Sequence, residues 1–177
     1  AVVAADKAII RQSSADGWTR MIELSVCLVD PTVWNAKRAE LESILGFLTG
    51  DFWTLRLLPG GMKVPKAKKP KRRSADCVCL LSGGIDSLVG AIDQISAGKK
   101  PLFVSQVVRG DRKVQAKFAS TLGGSDHHCQ WSFAVDHPGP SEKSTRGRSI
   151  LFFAFALLAA SAIPTYINQP VEIIVPE

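Results

Sequence analysis

Cysteine is scarce: the 177 residues hold four, Cys27, Cys77, Cys79 and Cys129, with neither a disulfide framework nor paired C-x-x-C zinc spacing. Such a set suits a reducing cytoplasm. Cys77 and Cys79 stand two apart on an expected strand, so they share a face as core residues. No charged start followed by an apolar core marks a leader. The most apolar stretch, from Ile150 to Ile163, runs 14 residues before Pro164, short of the ~20 that span a bilayer. It reads as a helix buried against a sheet, with no membrane contact. The chain opens on Ala1 rather than Met and stops just after an apolar run, and we expect a fragment.

Acid is missing between Pro59 and Ala75, where Lys63, Lys66, Lys68, Lys69, Lys71, Arg72 and Arg73 fall together. These seven charges exceed the whole excess of +6, so the basicity belongs to this segment. Pro59, Pro65 and Pro70 and the mutual repulsion of the lysines keep it extended. A nucleic-acid contact is one use for it. With no aromatic residue interleaved to stack on bases, an interdomain linker over 59–75 is the preferred reading.

Two familiar phosphate motifs are also lacking. No G-x-G-x-x-G is present, and no lysine follows the central glycines until Lys99, which excludes a Walker loop. What stands there instead is Cys77-Val78-Cys79-Leu80-Leu81 running into Ser82-Gly83-Gly84-Ile85-Asp86-Ser87. A buried strand, a glycine turn and a helix start in direct succession aim backbone N–H groups at one point where an anion can sit. Gly83 and Gly84 let backbone approach it, Ser82 and Ser87 add hydroxyls, and Asp86 would orient amides or meet a bound Mg²⁺. The plainer use of these residues is a glycine turn with Asp86 or Ser87 capping a helix.

Around this loop the expected grammar is strand 76–81, helix 85–98, strand 102–108, helix 111–121 and a third strand 128–135. That alternation predicts an α/β domain with a parallel sheet over 76–177, incomplete at its carboxyl end. Ligands in such sheets lie beyond the strands' carboxyl ends, where Ser82 and Arg109 fall. Residues 1–58 predict a small α+β domain of ββαβ order. Its strand over Ala1–Ile10 and strand over Met21–Val29 form a hairpin, followed by a helix ending at Gly50 and a strand over Phe52–Leu57. Arg11, Arg20 and Arg56 in it read as solvated strand ends. His127-His128-Cys129 does not read as a metal cluster, because neighbouring strand residues face opposite ways.

The six residues from Ser82 to Ser87 match the S-G-G-x-D-S loop of the N-type ATP pyrophosphatases, and residues 76–177 resemble that family. The order of later segments is similar to the 7-cyano-7-deazaguanine synthase (QueC-like) branch, especially its relatives in bacterial antiphage operons. Arg109-Gly110-Asp111-Arg112 stands where that branch has a loop before a helix. Arg146-Gly147-Arg148-Ser149 stands where it has Pro-Gly-Arg-Asn opening an apolar helix, so its Pro and Asn are Arg146 and Ser149 here. The resemblance implies a Rossmann-like, adenine-nucleotide alpha-hydrolase-like fold and adenylation of a deazaguanine-type carboxylate with release of pyrophosphate. It implies ATP and Mg²⁺ bound at Ser82, Gly83, Gly84, Ile85, Asp86, Ser87 and Arg109, with Asp86, Ser82 and Arg148 catalytic. No residue is assigned to a metal, since the branch's zinc cysteines belong to a region beyond this chain. A partner protein or a second copy is implied by the defence-type relatives. The alternatives are a non-catalytic ATP- or AMP-binding module and a scaffold that docks a partner.

Overall fold

The computed structural model describes residues 1–63, 65, 73–108, 110–136, 138–143, 146–164 and 169–176. The chain divides into two compact units, Ala1–Lys66 with Ala134–Ile150, and Ala67–Phe133 with Leu151–Glu177. This differs from the expected division, because Ala134–Ile150 returns to the amino-terminal unit. Within the expected basic linker at 59–75, residues 64 and 66–72 lie outside the described residues.

The first unit begins with a helix, α1 (Val2–Ala8), where the sequence reading has a strand. Four alanines in the first eight residues favour helix. Val2, Ala5 and Ile9 then fall on one helical face and pack against the core. Strand β1 (Met21–Leu28) follows, then α2 (Thr32–Ala36), α3 (Arg38–Thr49) and β2 (Phe52–Pro59). The expected hairpin is absent. β1 pairs in parallel with β2, from Met21 opposite Phe52 to Leu28 opposite Pro59. The helices between them supply the crossover that a parallel pair requires. The order is therefore α-β-α-α-β rather than ββαβ.

Ile22, Leu45, Trp53 and Leu55 form the buried centre of this unit, and Ile150 from the returning segment packs against it. Trp53 donates its indole N–H to the Thr49 hydroxyl at 2.9 Å, which itself donates to the Leu45 carbonyl at 2.8 Å. The polar end of the ring is thus satisfied without water.

Arg11 and Arg20 overturn the reading of solvated strand ends: they are 6% and 1% exposed. Asp51 accepts two bonds from the Arg11 guanidinium, at 2.8 and 2.9 Å, and one from Arg20 at 2.5 Å. Arg20 also bonds the Asp6 carboxylate at 2.6 Å. Burial alone would raise the Asp51 pKa, but bonds from Arg20 and Arg11 outweigh it and hold the carboxyl below its usual range. Arg56 does lie at the surface, paired with exposed Glu23. The charges that draw Arg11 inside come from Asp51, 40 positions away, which no local pattern reveals.

The same network receives the returning segment. Glu142 accepts the Arg11 backbone N–H at 2.9 Å and bonds Lys7 through its own backbone. Arg146 lies over the Trp18 ring at 4.6 Å. A Cβ at Gly147 would stand 2.5 Å from an Asp6 carboxylate oxygen, so a larger residue there would have to push aside the carboxylate that Arg20 holds.

The second unit is α/β, as expected, with a four-stranded, all-parallel sheet compatible with a Rossmann-like fold. Its elements are β3 (Cys77–Leu80), α4 (Ile85–Ser96), β4 (Pro101–Gln106), α5 (Arg112–Thr121), β5 (His128–Trp131), α6 (Arg148–Ala160) and β6 (Glu172–Ile174). The first residues of α6 count with the other unit. The strand order is β5-β4-β3-β6, which makes β3 and β4 interior. Every residue of those two strands is buried, in keeping with near-continuous apolar runs covered on both faces. Val78 and Leu80 pack towards Ala156 and Ala159 of α6. Cys79 and Leu81 pack towards Ala91 of α4 and Ala119 of α5. Strand β6 has no counterpart in the sequence reading, and β5 stops at Trp131 rather than Val135. Among the described residues no helix is long and apolar enough to cross a membrane.

Candidate functional site: the turn between β3 and α4

The turn opens where the β3 ladder ends. Leu81 still donates to the Val104 carbonyl at 2.8 Å, and its own carbonyl accepts the Ser105 hydroxyl at 2.6 Å. Ser82 then leaves the sheet. Gly83 has φ +97°, a conformation open to glycine and strained for other residues. Gly84 is extended and stands at the N-cap of α4, where no side chain caps the helix. The N–H groups of Ile85, Asp86 and Ser87 belong to the first helical turn and have no intrahelical acceptor. They carry the positive end of a 12-residue helix.

The hydroxyls behave differently from the expected pair of outward donors. Ser82 donates to Ser87 at 3.1 Å, and Ser87 donates to the Gly84 carbonyl at 2.8 Å. Gly84 N–H points to the Ser82 hydroxyl at 3.3 Å. Ser87 is buried and ties the turn together, while Ser82 is exposed. Of the expected set, Ser82, Gly84, Ile85 and Asp86 present themselves at the surface, Gly83 is half-buried and Ser87 lies beneath. Arg109 lies outside the described residues. Arg148, the first residue of α6, counts with the amino-terminal unit, whereas the turn belongs to the second.

A carboxylate in the first turn of a helix is favourable by itself, so Asp86 has a purely structural use. Among the described residues no group of three or more His, Cys, Asp or Glu side chains could hold a metal ion. One exposed carboxylate beside a cluster of helix N–H groups fits a Mg²⁺ that arrives on phosphate oxygens, a usual mode for that ion. His128 and Cys129 do take opposite faces of β5: His128 meets Ser105, and Cys129 packs with Val104.

Beneath the turn lies a polar layer that sequence reasoning missed. Gln115 of α5 is fully buried. Its Nε2 donates to the Ser82 carbonyl at 3.1 Å and to the Gln106 carbonyl at 3.0 Å. Its Oε1 accepts from Gln130 at 3.2 Å, which also bonds the Arg112 carbonyl at 2.9 Å. Beside it the Ser105 hydroxyl lies 2.8 Å from His128 Nε2, and burial pushes the His128 pKa down. Gln106 is only 4% exposed, and its Oε1 has no hydrogen-bond partner among the described residues. The signal was present in the sequence. Gln115 precedes the buried Ala119 by one helical turn, and Ser105-Gln106 is a polar end on an apolar strand.

Other chemistry competes poorly. Burial raises the thiol pKa of Cys77, and that of Cys79 to about 12, so neither serves as a nucleophile. A cavity of about 650 Å³ in the first unit is lined in part by Arg20, Met21 and Phe52. Met21 and Phe52 begin β1 and β2, so that cavity lies at the amino ends of the strands, opposite to the usual ligand position. Comparison with family models, with curated proteins and with solved structures found no match to this chain.

Proposed function

We propose that the turn from Ser82 to Ser87 holds the pyrophosphate portion of ATP and that the protein is an adenylating enzyme of the N-type ATP pyrophosphatase kind. The observation that carries this reading is one piece of geometry. A Ser-Gly-Gly-x-Asp-Ser turn at the carboxyl end of an interior parallel strand leads into a helix whose amino terminus no side chain caps. On this reading the second unit is an adenine-nucleotide alpha-hydrolase-like domain.

In the reaction a carboxylate oxygen of the acceptor attacks the α-phosphorus of ATP. An O–P bond forms, the bond to the bridging oxygen breaks, and pyrophosphate leaves, giving an acyl-adenylate. An amine then displaces AMP. The chain's part is to stabilise charge on the leaving pyrophosphate through the Gly83–Ser87 backbone and to orient it in line, without a side-chain nucleophile. Asp86 would hold a Mg²⁺, which would screen the pyrophosphate charge, and the resemblance gives Arg109 and Arg148 cationic roles. By resemblance the acceptor is a deazaguanine-type carboxylate, the setting is cytoplasmic and the role is antiphage defence beside a partner protein.

Pyrophosphate release with Mg-ATP and a panel of deazaguanine carboxylates tests this. The reading predicts release that needs all three and falls sharply in Asp86→Ala and Ser82→Ala. ATP binding without release, in the chain joined to any further domain it carries, would instead establish a nucleotide-sensing module.

A further inference from the structure

We infer that Gln115 is a positioning residue: it latches the Ser82–Gly83 peptide in the orientation that turns the Gly83 N–H towards a bound anion. The inference rests on the reading of the turn as a phosphate site and adds a residue that lies outside the motif.

In a trans peptide the carbonyl and the N–H point in opposite directions. The Ser82 carbonyl is drawn to Gln115 Nε2 at 3.1 Å, so the Gly83 N–H of that same peptide points away from Gln115. Without this tie the peptide can flip, because a flip changes mainly ψ of Ser82 and φ of Gly83. Glycine accepts both signs of φ at little steric cost. The residue that allows the turn is thus also the residue that would let it open in the wrong sense.

Gln115 is suited to holding that choice. Its amide nitrogen has two hydrogens, and each goes to a different carbonyl, Ser82 on the β3 side and Gln106 at the end of β4. Two carbonyl neighbours require the nitrogen there, since the amide oxygen would repel both. Gln130 fixes the same orientation from the far side by donating to Oε1 at 3.2 Å. A Cβ on Gly83 would stand 3.3 Å from Gln115 Cγ, so a larger residue there would press on the latch. The side chain is fully buried, and its bonds are therefore not exchanged for water.

The test uses Gln115→Met, which keeps length and removes both donors, and Gln130→Leu, which alters a half-buried partner and leaves Gln115 in place. Affinity for magnesium pyrophosphate is measured by calorimetry, folding by thermal melting, and the Gly83 amide by ¹⁵N-resolved NMR. The expected result for Gln115→Met is a loss of affinity of about tenfold and a shifted or doubled Gly83 amide signal. Gln130→Leu should show about a threefold loss, and it decides the question if Gln115→Met does not fold. Unchanged affinity and an unmoved Gly83 signal in a folded variant would overturn the inference. Should the parent chain itself fail to bind pyrophosphate, the functional reading falls. The Gly83 signal still decides the latch: moved or doubled in the variant supports it, unmoved overturns it.

Discussion

The Ser82 hydroxyl donates to that of Ser87 across 3.1 Å, and Ser87 passes a bond of 2.8 Å to the Gly84 carbonyl. The two serines of the motif therefore have unequal parts. Ser87→Ala removes a buried bond and should lower stability by about 1 kcal/mol as well as weaken nucleotide binding. Ser82→Ala alters an exposed group, so its melting temperature should stay close to the parent's while ATP affinity falls. Paired melting curves and titrations separate the two.

Asp51 joins two buried guanidinium groups, Arg11 and Arg20. Asp51→Ala removes the carboxylate paired with Arg11 and one of the two that hold Arg20, and breaking a buried pair in this way costs about 3–5 kcal/mol. A urea titration followed by tryptophan fluorescence should show the first unit unfolding at much lower denaturant. Glu23→Ala, which breaks the exposed pair with Arg56, should change little. Similar midpoints for the two variants would contradict the network's role.

Burial depresses the His128 pKa below the usual 6.5. The unfolded chain then binds more protons than the native state below that value, so stability rises with pH across this range. It is full above 6.5 and drains away as pH falls towards the lower folded pKa. Urea midpoints at pH 7.5 and 5.5 should differ in that direction, and His128→Gln should flatten the difference. A steeper acid loss in the variant would be the wrong sign.

Thiol labelling checks the core. Cys27 is exposed, while Cys77 and Cys79 are buried with raised pKa values. An aromatic disulfide reagent should modify Cys27 rapidly in the native protein and reach Cys77 and Cys79 only on unfolding. Fast labelling of Cys79 in the folded chain would show that β3 is not interior.

The second unit was readable because its signals are local. The apolar run of β3, the glycines, and the stripe through Ile85, Leu88 and Ile92 each declare an element within a few residues. The first unit was harder. Val and Ile in the opening decapeptide mimic a strand, whereas its alanines and the i, i+3, i+7 placing of Val2, Ala5 and Ile9 argue for helix. The β1-helix-β2 order also implied a parallel pair that the hairpin reading passed over, since a helix between two strands provides a crossover. The burial of Arg11 was not legible, because its partners Asp51 and Glu142 lie 40 and 131 positions away. The motif of the candidate site stood in the sequence, and so did the polar positions beneath it, but not the bonds they make. Gln115 reaches Ser82 across 33 positions, and a glutamine in a helix gives no local sign of what its amide will hold.

The central claim is that the Ser82–Ser87 turn holds the pyrophosphate of ATP during adenylation. The most direct measurement is pyrophosphate release from Mg-ATP in the presence of a deazaguanine carboxylate, by the parent chain joined to any further domain it carries and by its Asp86→Ala variant. The account predicts carboxylate-dependent release by the parent and a large loss in the variant with folding intact. Equal release by both, or none from a parent that binds ATP tightly, would contradict it.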